Sequence, residues 1–390
     1  MGTTDNGPAQ PRGRRTRTVL EQQIREVRRE TLREFVAYAE RFAREHGEPG
    51  TLSLRHLERL VAGKGASGKP VGPPRPATAR LLERIFGIDI AELLTAPADG
   101  EAELDRSDAE LRARLTSSAR VDNQVIDLLE GQLSSIRRLD RQLGAPVAHG
   151  ETTAKADQVT ALLQHSLMPA RRERLAALLS EVCTLAGWQA LDAGNVSAAW
   201  HYYERGKFAA RESGDPSFES HAAAEQAFVL LDIGEVARAT ELLLQLRRRK
   251  SIPRLLSSWL AAAHGEALAA AGCRSASLRV FDRAAQLLPD TAPSRERPYV
   301  VLDAVHLARW RGHALARIGE LEAIDVLTSA LNKLDSTFTR AETALKVDLA
   351  AAFMNRGELE PSQRYAEQAR NLAMAIGSTR QRRRLVLLNH

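Results

Sequence analysis

Aromatic residues supply only 5% of the 390-residue chain, and there are just two cysteines. Cys183 and Cys273 are far apart in helix-type sequence, so no disulfide framework and no cysteine metal pair is visible. Cys183 sits among apolar residues and reads as an inert core thiol. No run of 18 or more apolar residues occurs, and the first residues hold no apolar signal core. The expectation is a cytoplasmic protein with no membrane partner. Signatures of chemistry are missing too. There is no HExxH, and GKGASGKP lacks both the Gly-Lys-Ser/Thr ending and the preceding apolar strand of a phosphate loop. His306 and His313 can share a helix face, but no Cys or carboxylate set lies near them in sequence, so no metal is expected. Glu101 and Glu103 lie where nothing would tune them. The chain therefore reads as a non-enzyme without a cofactor.

What is abundant points to helices. Hydrophobic residues are 44% and charged residues 27%, with Ala, Leu, Arg and Glu throughout, which suits an all-α protein. The net charge of +6 is uneven: residues 1–95 hold 17 Arg and Lys against 12 Asp and Glu, leaving +1 for the other 295. A local basic excess suits a module that meets an anionic surface.

Within that basic end, TLSLRHLERLVAGK (Thr51 to Lys64) predicts a short amphipathic helix. Ser53 can cap it and Gly63 can end it in the left-handed conformation, so it runs from Leu54 to Ala62. Leu54, Leu57, Leu60 and Val61 share one face, while Arg55 and Arg59, flanked by Glu58 and His56, share the other. The sharper reading is a major-groove recognition helix, since an arginine fork can reach guanine edges or phosphates; the blander one is a solvated face.

Residues 1–19, with Arg12, Arg14, Arg15 and Arg17 and no apolar period, read as a disordered basic arm. Apolar spacing from Leu20 to His46 predicts one or two helices, and Gly47-Glu48-Pro49-Gly50 breaks them. After Gly63 a Gly- and Pro-rich loop carries Lys64, Lys69 and Arg75. Pro76 opens a helix that Gly87 closes, and a short helix from Ile90 ends the domain near Thr95. Helix, Gly-containing turn and capped helix give the outline of a helix-turn-helix over residues 20–95, although the first helix and the break are longer than in the compact form. Residues 96–118 read as a partly helical linker. Val121 to Leu143 suits one long helix, followed by a break over Gly144 to Thr153.

From about Thr160 one theme recurs. Ala-rich helices meet at Gly194, Gly234, Gly272, Gly319 and Gly357, spaced by 40, 38, 47 and 38 residues. Such a period predicts helical hairpins close to the tetratricopeptide repeat (TPR), stacked as a solenoid within a domain of residues 119–390. The concave groove of a solenoid takes a peptide, a protein helix or a smaller effector. Trp188, Asp192, Tyr202, Trp259 and Trp310, with Trp200 and Tyr203, are its candidate residues, against the competing reading of aromatics as inter-helix packing.

The segments LSLRHLERLVAGK and PRPATARLLERIFGIDIAELL resemble the DNA-binding domain of actinomycete XRE-type helix-turn-helix regulators, in a branch with a longer first helix. VIDLLEGQLSSIRRLDRQLGA and LAGWQALDAGNVSAAWHYYERGKFAARESGD are similar to the segments that join that domain to a TPR-like C-terminal domain. The resemblance covers the chain from about Leu20, although LREFVAYAERFAREHG stands where such regulators carry a Gln-rich SQxELA helix. It implies transcriptional regulation, with Ser53, Arg55, His56 and Arg59 on the recognition helix, Lys64 just after it, double-stranded DNA as a partner and a helical array that receives a signal. A homodimer follows from operator symmetry. The competing function is a TPR-type scaffold whose degenerate head reads no DNA.

Overall fold

The computed structural model describes residues 17–63, 72, 74–97, 100–290 and 298–388, and every regular element among them is helical. The chain divides into two units, 1–111 and 112–390.

In the first unit, α1 (Val19–Gln22) runs into a π-helical turn, Gln23–Val27, and is followed by α2 (Leu32–Glu45), α3 (Leu54–Ala62), α4 (Pro76–Phe86) and α5 (Ile90–Leu93). The next helix, α6 (Gly100–Ala119), spans the boundary and occupies most of the segment read as a linker. The basic arm ends earlier than the sequence suggests. Thr18 caps α1 and donates to the Val61 carbonyl at 3.3 Å, and the Val19 amide donates to the Thr95 carbonyl at 2.9 Å, so residues 17–19 belong to the fold. The rest of that arm, residues 1–16, lies outside the described residues.

Local chemistry sets the ends of these helices. Thr31 and Glu34 form a reciprocal capping box on α2. Ser53 accepts from the His56 amide and Gly63 adopts φ 69°, which bounds α3 as its sequence predicts. The break between α2 and α3 is docked, not slack. A Cβ on Gly50 would strike the Ala77 carbonyl of α4, and the Thr78 hydroxyl donates to the Thr51 carbonyl at 3.2 Å. Leu20, Ile24, Phe35, Leu57, Leu60 and Leu82 fill the core, with Phe35 stacked on Phe86 at 5.2 Å between ring centroids.

The second unit is an array of antiparallel hairpins. Its helices are α7 (Asn123–Leu143) with α8 (Ala145–Gln164), α9 (Pro169–Asp192) with α10 (Val196–Glu212), and α11 (Pro216–Asp232) with α12 (Val236–Arg247). Then come α13 (Arg254–Ala270) with α14 (Arg274–Leu287), α15 (Ala304–Arg317) with α16 (Ala323–Lys333), α17 (Thr339–Asn355) with α18 (Leu359–Ala375), and a final α19 (Thr379–Leu387). The break expected over Gly144 to Thr153 is confined to Gly144. That residue turns the chain at φ 79°, Pro146 stands in the first turn of α8, and residues 145–153 continue as helix. A further hairpin thus precedes the repeats seen in the sequence.

All five turn glycines have φ between 72° and 85°, a backbone state that costs any other residue energy. Seven residues before each stands a small residue of the first helix: Gly187, Ala227, Gly265, Gly312 and Ala350. A large side chain of the second helix presses on three of them. A Cβ on Gly187 would meet the Tyr203 ring at 2.8 Å, one on Gly265 the Phe281 ring at 2.6 Å and one on Gly312 Leu327 at 2.6 Å. Small residues also line the second helices where they cross the first, at Ala199, Ala239, Ser277, Ala323 and Ser362. Ser277 donates to the Gly265 carbonyl and Ser362 to the Ala350 carbonyl, both at 2.8 Å. This shared register makes the second unit a TPR-like array.

Candidate functional site

First helices pack against first helices, α7 on α9, α9 on α11, and so on to α17 on α19, and form the inner wall of the array. The last elements return to the first: α17 meets α7 and α19 meets α9. Between them lies a cavity of about 620 Å³. Its lining combines rings, among them Trp188, Phe228, Trp310 and Phe338, with many charged side chains, and arginines outnumber carboxylates.

Most of those charges are tied into structure. Arg340 on α17 donates to Asp140 of α7 at 2.8 Å and stands 3.4 Å from Asp192 of α9; Asp140 also accepts from Gln189 at 3.0 Å, and Asp192 from Ser378 at 2.6 Å. Four helices from opposite ends of the array meet in that knot. Burial pushes the Asp140 carboxyl up, against the pull of Arg340 and Gln189. Arg380 of α19 grips Asp232 of α11 with two bonds of 2.7 Å. Asp348 accepts from His313 at 2.7 Å and from Arg384; burial alone would raise its carboxyl, but those two charges hold it well below the usual carboxylate range.

His221 and Glu225 of α11 behave differently. Their Nε2 and Oε1 atoms are 3.7 Å apart, yet burial pushes Glu225 up to about 8 and His221 down to about 3, so both are neutral near pH 7. Three arginines line the cavity with free N–H groups. The Nε atoms of Arg141 and Arg309 and the Nε and Nη1 atoms of Arg340 are shielded from solvent but have no hydrogen-bond partner among the described residues.

Of the groove residues chosen from sequence, Trp188, Trp259 and Trp310 line the cavity. Trp259 is 3% exposed and packs on Trp310 at 5.6 Å, so it mainly supports that ring. Tyr202 and Asp192 are not among the cavity's lining residues. Tyr202 is on a second helix, half-buried against the core with its ring near His149 of α8 at 6.0 Å; the ~100° step per residue along α10 buries Tyr203 fully and leaves Trp200 40% exposed. Asp192 is 1% exposed, held by Ser378 and Arg340, and lies behind the wall.

Sequence reading missed Arg141, Arg309 and Arg340, and the carboxylates Glu225, Glu266 and Asp348. Their signal was a charge isolated in an Ala-rich first helix, as in HAAAEQAFVLL, AHGEALAA and KVDLAAAF. His313, which had no carboxylate near it in sequence, gains Asp348 at 2.7 Å and Glu266 at 3.5 Å through folding. No cluster that could hold a metal ion occurs among the described residues. Cys183 is fully buried, and burial pushes its thiol up to about 12.

In the first unit, α3 buries Leu57, Leu60 and Val61 and leaves Arg55, Glu58 and Arg59 exposed, with His56 half-buried. Ser53 is spent on capping. Arg75 is exposed at the start of α4, while Lys64 and Lys69 lie outside the described residues. No described helix is long and apolar enough to cross a membrane.

No family model matches the chain. No curated protein matches it either. Among solved structures it is similar to the TPR-like repeats of a kinesin light chain-type protein from Podosopora anserina, at 19% identity and a TM-score of 0.33 over 53% of this chain and 96% of that one. A single-substitution variant of the same protein gives 18% identity and a TM-score of 0.34 over 51% and 95%.

Proposed function

We propose that this chain is a recognition protein that transforms nothing: its helical-repeat unit receives an effector in the cavity, and the array closes around it. The single observation that carries this reading is the cavity itself, walled by consecutive first helices and shut where α17 and α19 return to α7 and α9. Most of its charged groups are bound in structural networks, and the nearby hydroxyl of Thr184 is spent on the Ser180 carbonyl at 2.8 Å. Melting of the full chain in fractionated cell extract tests it. An effector fraction should raise the wild-type midpoint but not that of Ala344→Trp, which fills the cavity; equal shifts in both proteins would sink the reading.

A second, finer reading adds DNA as the output, and the exposed pair Arg55 and Arg59 on a firmly capped helix favours it. Together with the resemblance to XRE-type regulators, it makes the chain a transcriptional regulator gated by the repeat unit and binding as a dimer. In a selection from random duplexes the full chain should enrich one sequence, with affinity falling as salt rises and dropping at least ~10-fold in Arg55→Ala/Arg59→Ala. Salt-sensitive binding without any enriched sequence would leave the scaffold function standing alone.

A further inference from the structure

The cavity wall is unevenly neutralised. Arg380 has Asp232, Arg384 has Asp348, and Arg137 lies 3.5 Å from Glu181. Arg141 of α7 and Arg309 of α15 form no ion pair among the described residues. Arg141 lies over the Phe338 ring at 4.5 Å, the His306 ring meets the same phenyl at 4.7 Å, and Arg309 follows His306 by one helical turn. Arg340, two residues beyond Phe338, commits one nitrogen to Asp140 and leaves Nη1 unused. Shielded guanidinium N–H groups from three helices therefore line the one cavity, Arg141 over Phe338, Arg309 over Trp310 and Arg340 over Trp188. Each such group left without an acceptor is costly, and a carboxylate can take two at once. Flat apolar surface stands close to these groups: Trp188 lies beside Arg340 at 5.9 Å, and Trp310 packs on Phe228 at 5.7 Å.

Size limits the occupant. The cavity of about 620 Å³ falls within the ~300–1,000 Å³ range of small-molecule sites. Three turns of α-helix, ~10 Å across and ~16 Å long, would displace roughly twice that volume.

We infer that the cavity is the binding site for a small organic acid, its carboxylate seated on Arg141, Arg309 and Arg340 and its aromatic or branched apolar body laid against Trp188 and Trp310. This deepens the effector reading above and rests on it, but the test needs neither DNA nor extract. Naphthalene-1-carboxylate, its uncharged counterpart naphthalene-1-methanol, inorganic phosphate, and the tripeptide Ala-Ala-Phe as free acid or amide are titrated into the full chain, read by calorimetry and tryptophan quenching. The naphthoate should bind at least ~10-fold tighter than the alcohol, and that preference should shrink about tenfold in Arg309→Gln and in Arg141→Gln, with circular dichroism unchanged. A free-acid tripeptide that outbinds the naphthoate would support the same carboxylate seat with a peptide as its source. Equal binding of acid and alcohol, phosphate binding as tight as the naphthoate, or no binding by either acid would overturn the inference. A cavity that refuses these acids while extract still stabilises the wild type would discard the ligand class and keep the effector reading.

Discussion

His221 and Glu225 face the cavity one helical turn apart, and burial keeps both uncharged near neutrality, with the charge of Arg137 adding to the effect on His221, Arg380 opposing that on Glu225 and Glu266 reinforcing it. The consequences for stability have opposite signs. The folded value of Glu225, about 8, exceeds the ~4.3 of an unfolded chain, so its contribution is fully present below pH ~4.3 and is lost as pH rises through about 8. His221, at about 3 when folded against ~6.5 unfolded, contributes above pH ~6.5 and loses that contribution as pH falls through about 3. Between pH 7 and 9 only Glu225 changes state, so urea midpoints of the wild type should fall over that range by an amount on the order of 1 kcal/mol per pH unit at most, and those of Glu225→Gln should stay nearly level. Parallel curves for the two proteins would show that the carboxyl ionises as it does in water. Sequence marked this site only as a lone acid in an apolar run; its neutrality follows from what folding packs around it.

At the scale of the helical hairpin, the five turn glycines announced the array, because a left-handed residue must end each first helix and few residues other than glycine adopt that state cheaply. The small residue seven positions earlier was equally present in the sequence, but its partner was not: Tyr203, Phe281 and Leu327 lie on the next helix, and only the hairpin crossing brings them against Gly187, Gly265 and Gly312. Gly265→Ala should therefore destabilise by ~1–3 kcal/mol, since the Phe281 ring must move from a packed core. The control is Gly131→Ala in the interior of α7, where an added Cβ meets nothing within 4 Å and helix propensity predicts a gain of up to ~1 kcal/mol. Urea unfolding of the two variants should shift in opposite directions; a matching loss in both would remove close packing as the cause. The same hairpin geometry decides where Tyr202 and Trp200 stand. Their place on a second helix, outside the wall, is a property of the fold and not of their chemistry.

For the second unit as a whole, closure depends on charges buried between residues 140, 192 and 340. Arg340→Ala would leave Asp140 and Asp192, 4% and 1% exposed, facing each other without their cation, a loss on the order of 3–5 kcal/mol. Amide exchange should then accelerate most in α7 and α17, which the knot joins; faster exchange confined to α17 would mean that closure rests on apolar packing instead. The sequence by itself determined what acts over short range: the ends of α3 through Ser53 and Gly63, the hairpin period through its glycines, and the all-helical class through composition. Capping, backbone conformation and amphipathic period act within a turn or two of helix, so they can be read from neighbouring letters. Only the tertiary structure decided that the array returns on itself, that Arg340 meets Asp140 across 200 residues of chain, and that Arg141 and Arg309 line one cavity with Nε groups that have no hydrogen-bond partner among the described residues. A charge in an Ala-rich helix carries no mark of its partner, because that partner is set by the summed rotation of the hairpins between them.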